Sequence, residues 1–77
     1  MKIHVEAQGV LQKFIKGDGK RMAVEVEDGT TVGVLLHQIG VTKDVDYNAA
    51  LNDQLVYPED PLIDGATLFI FPPIAGG

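Results

Sequence analysis

Apolar and polar residues alternate singly at the start of the chain. Ile3, Val5 and Ala7 fall on one side of an extended backbone and His4, Glu6 and Gln8 on the other. That period of two predicts a strand with one buried face. Residues 10–15, VLQKFI, fit neither period well. Val10, Leu11, Phe14 and Ile15 suit a helical turn as readily as a ragged strand, and the segment is expected as a packed loop. Gly17, Asp18 and Gly19 supply a turn, and a second strand follows in which Met22, Val24 and Val26 alternate with Ala23, Glu25 and Glu27. Asp28 and Gly29 end it, so the first two strands form a wide hairpin.

The period then changes. In TTVGVLLHQIG, Val32, Leu35, Leu36 and Ile39 recur at i, i+3, i+4 and i+7, the apolar stripe of a helix of about ten residues. Thr31 is placed to cap its start, and Gly40 to supply the left-handed residue that ends it. Gly33 weakens it by about 1 kcal/mol relative to alanine. A helix this short does not stand alone in water, so its stripe must dock on a sheet. Tyr47–Leu51 reads as a third strand, Asn52 and Asp53 as a tight turn, and Gln54–Val56 as a short return strand. Pro58, Pro61 and Gly65 interrupt the next stretch. Thr67–Phe71 is the last strand, with Leu68 and Ile70 on one face and Phe69 and Phe71 on the other, a pattern expected of a central strand. The order β–β–α–β–β–β predicts an α+β fold: a mixed sheet of four to five strands with one helix packed on one face.

Composition sharpens this picture mainly by exclusion. A chain of 77 residues is one small domain, which buries only about 60% of the surface its unfolded form exposes. It holds no cysteine, so neither disulfides nor thiolate metal sites can staple it. The formal charge of −5 argues against nucleic acid, which needs a basic face, and against anionic membrane surfaces. MKIHVEAQ is no signal peptide, and no apolar run approaches the ~20 residues of a membrane span. A soluble, cytoplasmic protein is expected.

Candidates for catalysis are few. His4 and His37 fall on the polar faces of a strand and of the helix, with no acid at ligand spacing, and read as surface residues. Glu25, Glu27 and Asp28, and Glu59 and Asp60, read as solvated acids rather than paired catalytic carboxylates. No dinucleotide fingerprint, phosphate loop or nucleophile elbow is present. No metal site and no enzymatic activity of the chain's own are expected.

The final residues, FPPIAGG, are the exception to this blandness. Pro72 and Pro73 cannot continue a strand ladder, and they favour an extended conformation. Residues 1–71 are therefore expected to form the body, and residues 72–77 a projecting tail that spans about 18–20 Å. Gly76 and Gly77 lack side chains and suit a narrow channel in another protein. A carboxylate presented there is a poor electrophile until it is activated, for which ATP is the common reagent. The partner would supply the phosphate site, the metal and the electrostatic stabilisation.

With these pieces in place, NAALNDQLVYPEDPLIDGATLFIFPPIAGG resembles the C-terminal half of the small subunit of molybdopterin synthase. The matching pieces are the turn at Asn52 and Asp53, PLIDGA at 61–66 and FPPIAGG at 71–77. The chain is similar to the ubiquitin-like β-grasp sulfur carriers, a family that also includes the thiamine-pathway carriers, and its compact middle looks more like those. The resemblance implies a sulfur carrier. Gly77 would be adenylated by a ubiquitin-activating-type adenylyltransferase using ATP and magnesium, then converted to a thiocarboxylate. Gly76 would occupy the partner's channel, with Pro72, Pro73, Ile74 and Ala75 lining the tail's path. The sulfur would pass to an enzyme such as the large subunit of molybdopterin synthase. Thiazole synthesis, amino-acid synthesis, or conjugation to lysines of other proteins through Gly77 are the alternatives. The β-grasp resemblance also implies that Phe69 and Phe71 face away from the helix, where they would dock a partner. The other possibility is that they pack under residues 10–15.

Overall fold

The computed structural model describes residues 1–17 and 20–73. Five strands form one sheet: β1 (Lys2–Ala7), β2 (Arg21–Glu25), β3 (Asn48–Leu51), β4 (Gln54–Val56) and β5 (Thr67–Phe71). Their spatial order is β2-β1-β5-β3-β4. β5 lies at the centre, parallel to β1 and antiparallel to β3, as the apolar character of both its faces predicts. Among the described residues one α-helix, α1 (Val32–Gln38), covers one face. This is the mixed sheet with one helix expected from the periodicity.

The alternation along each strand sorts residues onto two faces, and the register carries that sorting across the sheet. Val5 is paired with Met22 on one side and Leu68 on the other, and Leu68 in turn with Leu51. These residues point toward the helix. Ile3, Val5, Leu68 and Ile70 have no exposed surface there, and they pack with Val32, Leu35 and Leu36 of the helical stripe. Ile39 closes the stripe only partly, because it lies just beyond the helix proper.

Both ends of α1 are held as their residue types require. Thr31 Oγ1 accepts a hydrogen bond from the Val34 amide at 3.4 Å. The amides of Val32 and Gly33 donate to the carbonyls of Asp60 and Pro58 at 2.9 and 2.8 Å. The 57–63 strap therefore satisfies donors that a helix start leaves free. At the other end Gly40 has φ +104°, and the Val41 amide donates back to the Leu36 carbonyl at 2.9 Å, the long closing bond of a Schellman motif. Asn52 and Asp53 both take positive φ, 49° and 72°, which makes the β3–β4 connection a primed hairpin turn.

One element differs from expectation. Gly9–Phe14 is a 3₁₀ helix rather than an irregular loop. Gly9 and Gly17 confine the segment to little more than two turns, a length at which the tighter helix is common. That winding buries Leu11 and leaves Val10 in solvent, and Ile15 then re-enters the core just past the helix end. Phe14 comes close to Gly40, at the C-terminal end of α1, so the segment belongs to the helical side of the sheet.

Gly33 acquires a reason the periodicity does not give. A Cβ at this position would lie 3.0 Å from Pro58 Cβ and 3.2 Å from the Pro58 carbonyl oxygen. Helix propensity alone predicts that Gly33→Ala adds about 1 kcal/mol of stability. The contact with the strap reverses that sign, and the expected result is a lower urea midpoint for Gly33→Ala. A higher midpoint would show that the strap yields without cost.

Candidate functional site

The central position of β5 determines what its C-terminal end can do. Hydrogen-bonded neighbours on both sides hold the strand, through the register pairs Ala7 with Ile70 and Asn48 with Phe71. Its direction as it leaves the sheet is therefore set by the whole domain. The Gln8 amide donates to the Ile70 carbonyl at 3.0 Å, so β1 escorts β5 to its end. Pro72 is half-buried and Pro73 exposed. Gly9, with φ +63°, lies against Pro72: a Cβ there would stand 3.3 Å from the proline ring. Gly9 thus serves both the tight backbone angle and the close approach that seat the first tail residue. Of the residues assigned to the tail, Pro72 and Pro73 are placed in this way; Ile74, Ala75, Gly76 and Gly77 lie outside the described residues.

The sheet face opposite α1 surrounds this exit. Phe69 and Phe71 project from it, half-buried, with ring centroids 5.4 Å apart and an interplanar angle of 21°. The alternative of packing under residues 10–15 is ruled out by the position of that segment on the other face. Across the ladder Phe69 is flanked by Glu6 and Ala50, and Phe71 by Asn48. The small side chain of Ala50 leaves one flank of the Phe69 ring uncovered. A shallow depression beside it is lined by Glu6, Ala50, Asn52, Asp53, Thr67 and Phe69. The Asn52 side-chain oxygen accepts from the Thr67 amide at 3.0 Å, and the Asn52 amide donates to the Thr67 carbonyl at 2.9 Å. These bonds tie the start of β5 to the hairpin turn. On the other flank Glu6 meets Arg21 at 3.4 Å in a partly exposed ion pair, which is worth little to stability but gives this face a fixed polar edge.

The remaining candidates disperse. His37 is exposed on α1, and His4 is half-buried on the open face between Ala23 and Thr67. Glu25 and Glu27 are solvated, and Asp28 stands 3.7 Å from the Met1 amine. Glu59 is exposed, whereas the Asp60 carboxylate accepts from the Tyr57 amide at 2.8 Å and shapes the strap. Among the described residues no group of His, Asp or Glu is arranged to hold a metal ion. Nor is any helix among the described residues long and apolar enough to cross a membrane. The seating of Pro72 by Gly9 and the Glu6–Arg21 pair both escape the sequence, because each joins residues from elements that only the sheet register brings together.

Solved structures with this architecture are those of small ubiquitin-like proteins. SAMP1 from Haloferax volcanii matches with a TM-score of 0.76 over 100% of both chains at 20% identity. A putative molybdopterin converting factor, subunit 1, from Pyrococcus furiosus matches with a TM-score of 0.76 over 96% of this chain and 99% of that one at 24% identity. These two establish the ubiquitin-like β-grasp fold. The complex of subunits 1 and 2 of the molybdopterin-converting factor from Helicobacter pylori 26695 contains a chain 26% identical, matched over 100% of both chains with a TM-score of 0.63. No curated protein sequence matches the chain significantly. The model of the ThiS family matches residues 9–77, from the glycine that seats Pro72 to the final diglycine. The chain is therefore a member of the ThiS family of ubiquitin-like sulfur carriers.

Proposed function

We propose that this protein carries sulfur as a thiocarboxylate on Gly77 and delivers it for molybdopterin biosynthesis, the precursor of molybdenum and tungsten cofactors. The observation that carries the reading is the exit of the central strand. The central strand β5 carries Phe71, Pro72 and Pro73 outward at one end of the domain, beside the half-buried, stacked rings of Phe69 and Phe71. Residues 1–71 act as handle and address, and residues 72–77 as the working part. Support for the pathway comes from the Helicobacter protein, a first subunit solved together with its second subunit.

The chemistry divides cleanly between carrier and partners. A carboxylate oxygen of Gly77 attacks the α-phosphorus of ATP, pyrophosphate leaves, and an acyl-adenylate forms. A ubiquitin-activating-type adenylyltransferase supplies the magnesium and the charge stabilisation for this step. A persulfide of a donor enzyme attacks the carbonyl and AMP leaves; a thiol then cleaves the acyl disulfide and frees the thiocarboxylate. The sulfur-accepting enzyme, in this reading the large subunit of molybdopterin synthase, receives Gly76 and Gly77 in a narrow channel, with Pro72, Pro73, Ile74 and Ala75 along its entrance. Phe69 and Phe71 dock against the partner, since partly exposed aromatics beside a projecting segment are effective anchors. A carrier that draws on ATP in this way would act in the cytoplasm.

A second reading, covalent modification of other proteins through Gly77, draws on the likeness to the small archaeal modifier protein of Haloferax volcanii. Thiazole or amino-acid synthesis would change only the acceptor. Intact-mass measurement separates the two main readings. After incubation with the adenylyltransferase, ATP and a sulfur donor, the chain is expected to gain the mass difference of one sulfur replacing one oxygen. Lysine-linked adducts in cell extract with no such gain would favour the modifier.

A further inference from the structure

The charges of this acidic protein are distributed unevenly. Lys13, Lys16, Lys20 and Arg21 make up four of its six basic residues, and Asp18 is the lone acid in that stretch of sequence. The fold brings this segment to one end of the domain. β1 and β5 are parallel, so Ala7 and Ile70 finish side by side, and β2 is antiparallel to β1, so Arg21 starts at that same end. The 3₁₀ helix that carries Lys13 begins at Gly9, the residue that seats Pro72. Arg21, Glu6 and Phe69 stand in one cross-strand row. The bases therefore flank the exit of β5 on its β2 side. Lys13, with its ammonium 5.4 Å from the Phe14 ring centroid, and Lys16 are both exposed.

The opposite end has the opposite sign. The Lys2 amide donates to Asp64 at 2.8 Å and the Met1 amine lies 3.7 Å from Asp28, so Asp28 and Asp64 sit where β1 begins, with Glu25 and Glu27 beside them. Lys43, Asp44 and Asp46 precede β3, on the far side of β5 from the other bases, and leave that side with one net negative charge. The exit therefore carries more positive charge on its β2 side, where Arg21 shares its charge with Glu6, than on its β3 side.

We propose that the basic rim formed by Lys13, Lys16, Lys20 and Arg21 steers the tail into an acidic protein surface beside the channel of the activating enzyme, and that the charge difference across the exit sets the carrier's rotation about its tail. The inference rests on the carrier reading above and extends it to the partner's chemistry. A chain of net charge −5 is repelled as a whole by an acidic protein. A local positive patch at the leading end reverses that repulsion where contact first occurs, and such complementarity governs encounter rate and register more than final affinity. The aromatic pair next to it supplies the part of the interface that resists dissociation.

The test is the association rate of the full-length chain with its own organism's adenylyltransferase, measured by stopped flow from about 0.02 to 0.5 M salt. The wild-type rate is expected to fall steeply with salt. Lys13→Glu/Lys16→Glu is expected to be slower by about tenfold at low salt and to converge on the wild type at high salt. Lys13→Gln/Lys16→Gln should lie between them, and circular dichroism should show all three folded. Lys2→Glu makes the same charge change as Lys13→Glu at the other end of the domain and should alter the rate by less than about twofold, since screening confines the effect. Phe69→Ser should speed dissociation and leave the salt slope intact. Equal effects of Lys13→Glu and Lys2→Glu, or a rate insensitive to both salt and Lys13, would overturn the rim while leaving adenylation and the carrier reading in place. An unmodified chain that is never adenylated would remove the carrier reading and the rim with it. Binding of a single-stranded RNA oligonucleotide that depends on Lys13 and Lys16, with the enzyme's association rate unchanged by their reversal, would assign the patch to nucleic acid and also overturn the proposal.

Discussion

Leu36→Ala is expected to remove about 2–5 kcal/mol of folding stability. Leu36 retains 1% of its surface, at the middle of the contact between α1 and the sheet. The helix has seven residues, too few to persist without that contact. Truncation leaves a void lined by residues that cannot close it, since the same layer contains Ile3, Val5, Leu68 and Ile70, fixed in strands with neighbours on both sides. A domain of this size has only about 4–12 kcal/mol in total, and no disulfide is available to compensate. Urea unfolding should therefore show a markedly lower midpoint, with little change in slope. Val34 is on the same helix but 51% exposed, and Val34→Ala should lie within about 0.5 kcal/mol of the wild type. Similar losses for the two variants would mean that α1 is not docked by its stripe.

Gly77→Ala is expected to behave in the reverse way. Its urea midpoint should match the wild type, since among the described residues the buried core lies before Pro72. Adenylation by the partner should fall by about a hundredfold or more, because one methyl group in a channel shaped for glycine displaces the carboxylate from the attack geometry, and misplacement of about 1 Å is worth that much. Pyrophosphate exchange at saturating ATP measures this directly. Unchanged adenylation would remove the channel argument, whereas lost adenylation with a lowered midpoint would mean that Gly77 also serves the fold. On the carrier reading, the two substitutions separate the body that folds from the tail that reacts.

Particular residues show why the elements were legible before the structure and the site only partly so. The period-two and period-3.6 patterns place Ile3, Val5, Leu35, Leu36, Leu68 and Ile70 correctly, because burial on one face of a regular backbone leaves a periodic trace. Thr31, Gly40, Asn52 and Asp53 are readable because caps and primed turns demand particular residue types. The 3₁₀ helix is not legible in the sequence because a segment of six residues is too short to establish a period. Gly33 looks like a defect from the sequence because propensity describes an isolated helix, and Pro58 is 25 residues away in the chain.

Local order along the chain thus decided the strands, the helix and its ends, and the apolar character of both faces of β5, since each depends on residues close together in sequence. Only the tertiary structure decided that Gly9 seats Pro72, that Glu6 and Arg21 border Phe69, that Gly33 must be bare beneath Pro58, and that the bases gather at the end from which the tail departs. Those relations follow from sheet order and register, which are settled by how the assembled layers bury their apolar faces at once, and no single stretch of residues contains that choice.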